Sequence, residues 1–232
     1  MRAIQELCPH AHIDDHSEPN IFSEMIKVNN DPIPHIDVSL NKDFYNYCKN
    51  NWKRSNSSNP KATDHRQKRY NTPINDSFII EELDIVLTAV QKSFYRVLKT
   101  EYPKWSGNIT STKYQFAGNE ISNTQYKMRN WHLDNGDKAI IGLWYFKHPD
   151  DTNDGDLYIS NGINEKCIPY SENRCIFIPN LANAWHKVGD RAKWTHERKF
   201  INIVVMTDQV LHDYSKKIHK EDYIRPVRNL MI

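Results

Sequence analysis

Helical periodicity is clearest over residues 77–100, where Leu83, Val86, Leu87, Val90, Phe94, Val97 and Leu98 recur at three- and four-residue steps and make one apolar stripe. Asp76 and Ser77 can cap its start and Pro103 marks its stop. A shorter helix is predicted over residues 40–53, beginning near Ser39, with Phe44, Tyr45, Tyr47 and Trp52 available for packing. Beyond residue 105 the pattern changes to short apolar runs bounded by turn residues. It predicts strands at Thr112 to Phe116, Gln125 to Trp131, Ala139 to Phe146, Asp156 to Ile159, Cys167 to Pro169, Arg174 to Ile178, Ala184 to Val188 and Arg198 to Met206. A helical stripe of this kind needs a sheet to cover, and eight short strands after helices fit a mainly β chain, a jelly roll backed by helices. The chain then divides into a 1–104 extension with supporting helices, a 105–207 core, and a 208–232 helix or tail packed on the same domain.

A length of 232 residues fits one domain with helical additions. The formal charge of +2 is too small for a nucleic-acid footprint. Cys8, Cys48, Cys167 and Cys175 lack metal-ribbon spacing and read as reduced thiols. With no apolar leader after Met1 and no run long enough to span a bilayer, a soluble cytoplasmic protein is expected, without a membrane partner. Lys53 to Arg69, rich in Lys and Arg and interrupted by Ser and Pro, reads as a mobile solvated loop, with a lid over the active site as the alternative. Near the N-terminus, Cys8, His10, His12, Asp14, Asp15 and His16 lie in a short polar stretch that reads as surface rather than as a second metal site.

The pattern His-x-Asp occurs four times, at His12-Ile13-Asp14, His35-Ile36-Asp37, His132-Leu133-Asp134 and His148-Pro149-Asp150. Two imidazoles and one carboxylate can hold one face of an octahedral ferrous ion and leave three positions open. Such a site needs a third ligand from another strand and a cation for the far end of an organic acid. The copy at His132 has that sequel. It is followed by the apolar run Ala139 to Phe146, then Gly155-Asp156-Leu157, Phe177-Ile178-Pro179, the distal His186, and Arg198 at the head of an apolar strand. Alternation puts Arg198, Phe200, Asn202 and Val204 on one face of that strand. Arg191 and Lys193, in a turn-like polar stretch, remain rival cations.

This ordered set resembles the catalytic core of the 2-oxoglutarate/Fe(II)-dependent dioxygenases, nearest in pattern to the prolyl-hydroxylase-like branch. The likeness covers roughly residues 111–207, and it departs from the branch in having Asp154-Gly155 where Gly-Gly is usual. The resemblance implies a double-stranded β-helix, Fe(II) held by His132, Asp134 and His186, and 2-oxoglutarate with its C5 carboxylate on Arg198 and Tyr145. It also implies O2 as oxidant, succinate and CO2 as products, and ascorbate as a candidate reductant. Tyr145 could instead be a core aromatic with a satisfied hydroxyl. The carboxylate at position 134 argues against halogenation, for which family members carry a small residue there.

Substrate is read from what could cover the site. Lys53 to Thr72 and Gly118 to Trp131, with Asn123, Gln125, Tyr126, Lys127, Arg129 and Trp131, are polar and cationic, and favour a small polar molecule such as a free amino acid. A peptidyl, prolyl-type hydroxylase is the alternative, and a jelly-roll module that binds without catalysis is another. For the triad itself the plain alternative is an ordinary His132–Asp134 hydrogen bond beside a core His186.

Overall fold

The computed structural model describes residues 5–7, 26–50, 53–54, 67–71, 77–119, 130–190 and 196–212. The elements in chain order are β1 (Gln5–Leu7), β2 (Val28–Asn29), β3 (His35–Ser39), α1 (Lys42–Asn50), β4 (Lys53–Arg54), β5 (Gln67–Asn71), α2 (Ser77–Glu101), β6 (Ile109–Asn119), β7 (Lys138–Tyr145), β8 (Leu157–Ser160), β9 (Glu165–Ile168), β10 (Arg174–Pro179), β11 (Trp185–Val188) and β12 (Arg198–Thr207). The larger sheet runs β2-β3-β10-β7-β12-β6-β5-β4 with β1 also paired to β6, and the smaller runs β11-β8-β9. All pairings are antiparallel. Two such sheets with supporting helices make the expected jelly roll, and β1–β5, all before residue 105, extend the larger one.

Register decides which side chains meet. Trp144 lies opposite Cys175 on one side and Ile201 on the other, so these three share a face. That face is covered by the helices: Phe44 of α1 stacks on Trp144 at 4.9 Å and Tyr45 stacks on Phe146 at 5.1 Å. The α2 stripe of Leu83, Val86, Leu87, Val90, Phe94 and Leu98 is buried, and α2 packs against β10. Tyr145 lies opposite Phe200, and Arg198, two residues earlier on β12, shares their face. This opposite face turns toward the smaller sheet, since Arg198 Nε donates to the Gly155 carbonyl just before β8 at 3.2 Å.

Local chemistry shifts several predicted boundaries. The cap of α1 is Asn41 rather than Ser39: its Oδ1 accepts the Asp43 N–H at 2.9 Å and the Phe44 N–H at 3.2 Å, while Ser39 still belongs to β3. Strand β9 stops at Ile168 because Pro169 has no N–H to continue a ladder. Asp156 stays out of β8 and accepts the Tyr170 N–H at 2.8 Å. The basic segment is not loop at its ends, where Lys53–Arg54 pairs with β5 and β5 pairs with β6. Asn130 and Trp131, expected in a strand, are not in one. Outside the described residues lie Asp76, Trp52, the N-terminal stretch from Cys8 to His16, the middle of the basic segment, residues 120–129, Arg191, Lys193 and residues 213–232. No helix among the described residues is long and apolar enough to cross a membrane.

Candidate active site

His132 and His186 face each other as one antiparallel rung beside the smaller sheet. Each donates its backbone N–H to the other's carbonyl, at 3.0 and 3.1 Å. The pairing brings their rings to a centroid distance of 4.1 Å. Behind the rung, on the outer side, the Lys187 ammonium lies 4.6 Å over the Trp131 ring and 4.9 Å over that of Tyr158, tying the segment before His132 to β8 and β11.

Each imidazole has one nitrogen already committed. His132 Nδ1 lies 2.8 Å from the Asn130 carbonyl and His186 Nδ1 lies 3.3 Å from that of Ala184. A carbonyl can only accept, so each Nδ1 carries a proton, and in the neutral imidazole it is Nε2 that keeps the lone pair. This is the outer-sphere arrangement that orients metal-ligating histidines. Asp134 Oδ2 lies 3.9 Å from His186 Nε2 and its Oδ1 lies 3.3 Å from Lys138 Nζ. One ligand atom from each of His132, Asp134 and His186 falls within 4.8 Å of the others, and all three residues are buried.

Asp134 is placed by the turn that follows it. Lys138 N–H donates to the Asn135 carbonyl at 3.1 Å, and the buried Asn180 amide clasps the turn by donating to Asn135 and Lys138 carbonyls at 2.8 and 2.9 Å. Leu211 N–H donates to the Gly136 carbonyl at 2.8 Å, and the backbone of His212 lies so close to Gly136 that a side chain could not be accommodated there.

Arg198 and Tyr145, the two residues predicted for a carboxylate, lie together on one face of β12 and β7. Arg198 is 1% exposed, and its guanidinium sits 5.0, 4.9 and 5.0 Å from the ring centres of Tyr145, Tyr170 and Phe200. Its Nε is used by Gly155, whose left-handed φ of 74° aims that carbonyl inward, but Nη2 is buried without a partner. The Tyr145 hydroxyl is likewise buried without a partner. Burial pushes the Tyr145 pKa up, and the Arg198 guanidinium beside it pulls part of the way back. A buried cation with no carboxylate among the described residues is costly unless an anion joins it.

No protein-family model matches the chain, and no curated protein does. Solved structures do match. A prolyl-4-hydroxylase from Pseudomonas putida is 12% identical and aligns over 75% of this chain and 92% of its own, with a TM-score of 0.50. The chain has the prolyl-hydroxylase fold. A Trichoplax adhaerens prolyl hydroxylase in complex with a hypoxia inducible factor peptide fragment is 15% identical over 74% of this chain and 83% of its own, TM-score 0.47. The viral collagen prolyl hydroxylase of Paramecium Bursaria Chlorella virus-1, a 2OG complex, is 12% identical over 75% and 96%, TM-score 0.44.

Sequence reasoning missed Lys138, Asn180, Tyr170 and the carbonyls of Asn130, Ala184 and Gly155. Lys138 had a signal in its spacing from Asp134, and Gly155 in the departure from Gly-Gly. The others touch the site through backbone or from distant segments and carry no local pattern.

Proposed function

We propose that this chain is an Fe(II)- and 2-oxoglutarate-dependent oxygenase that hydroxylates a small polar substrate such as a free amino acid, releasing succinate and CO2. The observation that carries the reading is the buried convergence of His132, Asp134 and His186 within 4.8 Å, with both imidazoles held in the ligating tautomer. Two neutral nitrogens and one carboxylate oxygen form a donor set suited to a ferrous ion. Bound together, the ferrous ion and the 2-oxo acid supply the activation of dioxygen.

The protein's own residues do the rest. His132, Asp134 and His186 hold the ion. Arg198, locked between aromatic rings with Nη2 unmet, pairs with the C5 carboxylate of 2-oxoglutarate, and the Tyr145 hydroxyl donates to the same group. The apolar walls around them exclude water from this pairing and strengthen it. Four cysteines without framework spacing support a reducing, cytoplasmic setting.

The polar, cationic composition of residues 53–72 and 118–131 supports a small substrate that bears a carboxylate. A peptidyl proline is the second reading, favoured by the fold shared with the Pseudomonas putida prolyl-4-hydroxylase. Loading the protein with Fe(II) and following succinate formation tests the reaction class. Free amino acids compared with the same residues in end-blocked peptides test the substrate, and efficient turnover of the blocked peptides alone would establish the second reading.

A further inference from the structure

Asp134 presents its two oxygens to different partners. Oδ2 is the atom turned toward His186 Nε2, at 3.9 Å, and Oδ1 is met by the Lys138 ammonium at 3.3 Å. The pair is shielded, with the Lys138 side chain 20% exposed and that of Asp134 7%. Lys138 is also rigidly founded. It opens β7, its N–H donates to Asn135, and its carbonyl accepts from the Asn180 amide.

A carboxylate with both oxygens free can close on a divalent cation through both of them. On an octahedral ion already bearing two imidazoles, that would fill four positions and leave two. A chelating 2-oxo acid needs two and dioxygen a third. Resting on the function proposed above, we infer that Lys138 is a positioning residue that restricts Asp134 to single-oxygen ligation and so keeps the third exchangeable position open. Its ammonium lies 3.3 Å from Oδ1, so a second metal bond through that oxygen would have to compete with the ion pair.

Co(II) serves as the probe, since its visible absorption reports coordination without turnover. Wild type, Lys138→Met and Lys138→Arg are titrated first with Co(II) and then, once loaded, with 2-oxoglutarate. Lys138→Met is expected to hold Co(II) at least as tightly as wild type, because a freed oxygen closes on the ion and a nearby positive charge is gone. Its affinity for 2-oxoglutarate is expected to fall about tenfold, in the range outer-sphere partners command. Lys138→Arg is expected to restore wild-type behaviour. Lys138→Gln replaces the Met variant if the latter does not fold. The inference is overturned if Lys138→Met binds both ligands as wild type does, or if it loses Co(II) in proportion to 2-oxoglutarate, which would make Lys138 a support for the turn alone. Wild-type protein that takes up no Co(II) would overturn the proposed function and this inference together, whereas normal wild-type binding with an unaffected Met variant strikes the inference only.

Discussion

His35-Ile36-Asp37 and His132-Leu133-Asp134 share the same spacing and, in part, the same geometry. His35 Nδ1 lies 2.8 Å from the carbonyl two residues earlier, that of Ile33, just as His132 Nδ1 lies 2.8 Å from Asn130. In the neutral form of each imidazole the proton therefore sits on Nδ1 and the lone pair on Nε2. They differ in what meets that nitrogen. At His35 it accepts from the Lys166 ammonium at 3.3 Å, and Asp37 is taken by Arg174 at 3.0 Å. The cations are part of the chain, and they tie β3 to β9 through Lys166 and to β10 through Arg174. At His132 the neighbours are the His186 imidazole, its ring centre 4.1 Å away, and the Asp134 carboxylate, which Lys138 meets at 3.3 Å. The second copy differs in being joined by a third donor from a distant strand, His186, so that the three come within 4.8 Å of one another.

The sharpest way to break this comparison is to delete one imidazole at a time. His132→Ala is expected to abolish Fe(II) binding and Fe(II)-dependent succinate formation, while His35→Ala retains the metal, as read by metal titration of both variants. Similar metal loss in the two would erase the distinction.

Next in size is the co-substrate end. Arg198→Ala should weaken 2-oxoglutarate binding by roughly tenfold to a hundredfold or more, since a charge-assisted pair contributes on the order of 1.5–3 kcal/mol. Arg191→Ala should leave it unchanged. Because no carboxylate among the described residues pairs with Arg198 and its Nη2 is unmet, Arg198→Met should raise the thermal midpoint of protein free of 2-oxoglutarate. A fall in that midpoint would mean that the guanidinium is already satisfied.

Tyr145→Phe is a smaller change. It removes a buried hydroxyl that has no partner, so stability should hold, while 2-oxoglutarate affinity drops about twofold to tenfold for one neutral hydrogen bond. Unchanged affinity in a calorimetric titration would return Tyr145 to a packing role.

The smallest effect separates the two histidine environments by pH. Burial, opposed by the Ile33 carbonyl and assisted by Lys166, holds the His35 pKa below its ordinary 6.5. The unfolded chain therefore binds the proton more readily than the folded one. The contribution of His35 to stability is complete above about 6.5 and is lost as pH falls from there through the folded value. Denaturant melts across that window should show a shallower pH dependence for His35→Gln than for wild type. An identical slope would mean that His35 titrates alike in both states.

The triad, the strand bearing Arg198, and the long helix were legible because each is written in side chains at regular spacing. Periodicity located the buried stripe of α2, and the order of motifs separated His132 from its three look-alikes. What the sequence hid was carried by the backbone or by distance. The carbonyls of Asn130 and Ala184 fix the tautomers, yet any residue supplies a carbonyl. Tyr170 and Asn180 reach the site from turns whose sequences resemble any polar loop. Lys53–Arg54 and β5 are strands through pairing in the larger sheet, a tertiary preference that local composition argued against.

The rung between His132 and His186 joins two points between which β7, β8, β9 and β10 all lie in sequence. An ion bound by both imidazoles would therefore be a removable cross-link, fastening the ends of a long internal loop as a disulfide would but answering to a chelator instead of a reductant. On the proposed function, metal supply would then set not only turnover but how long the fold around that loop resists unfolding.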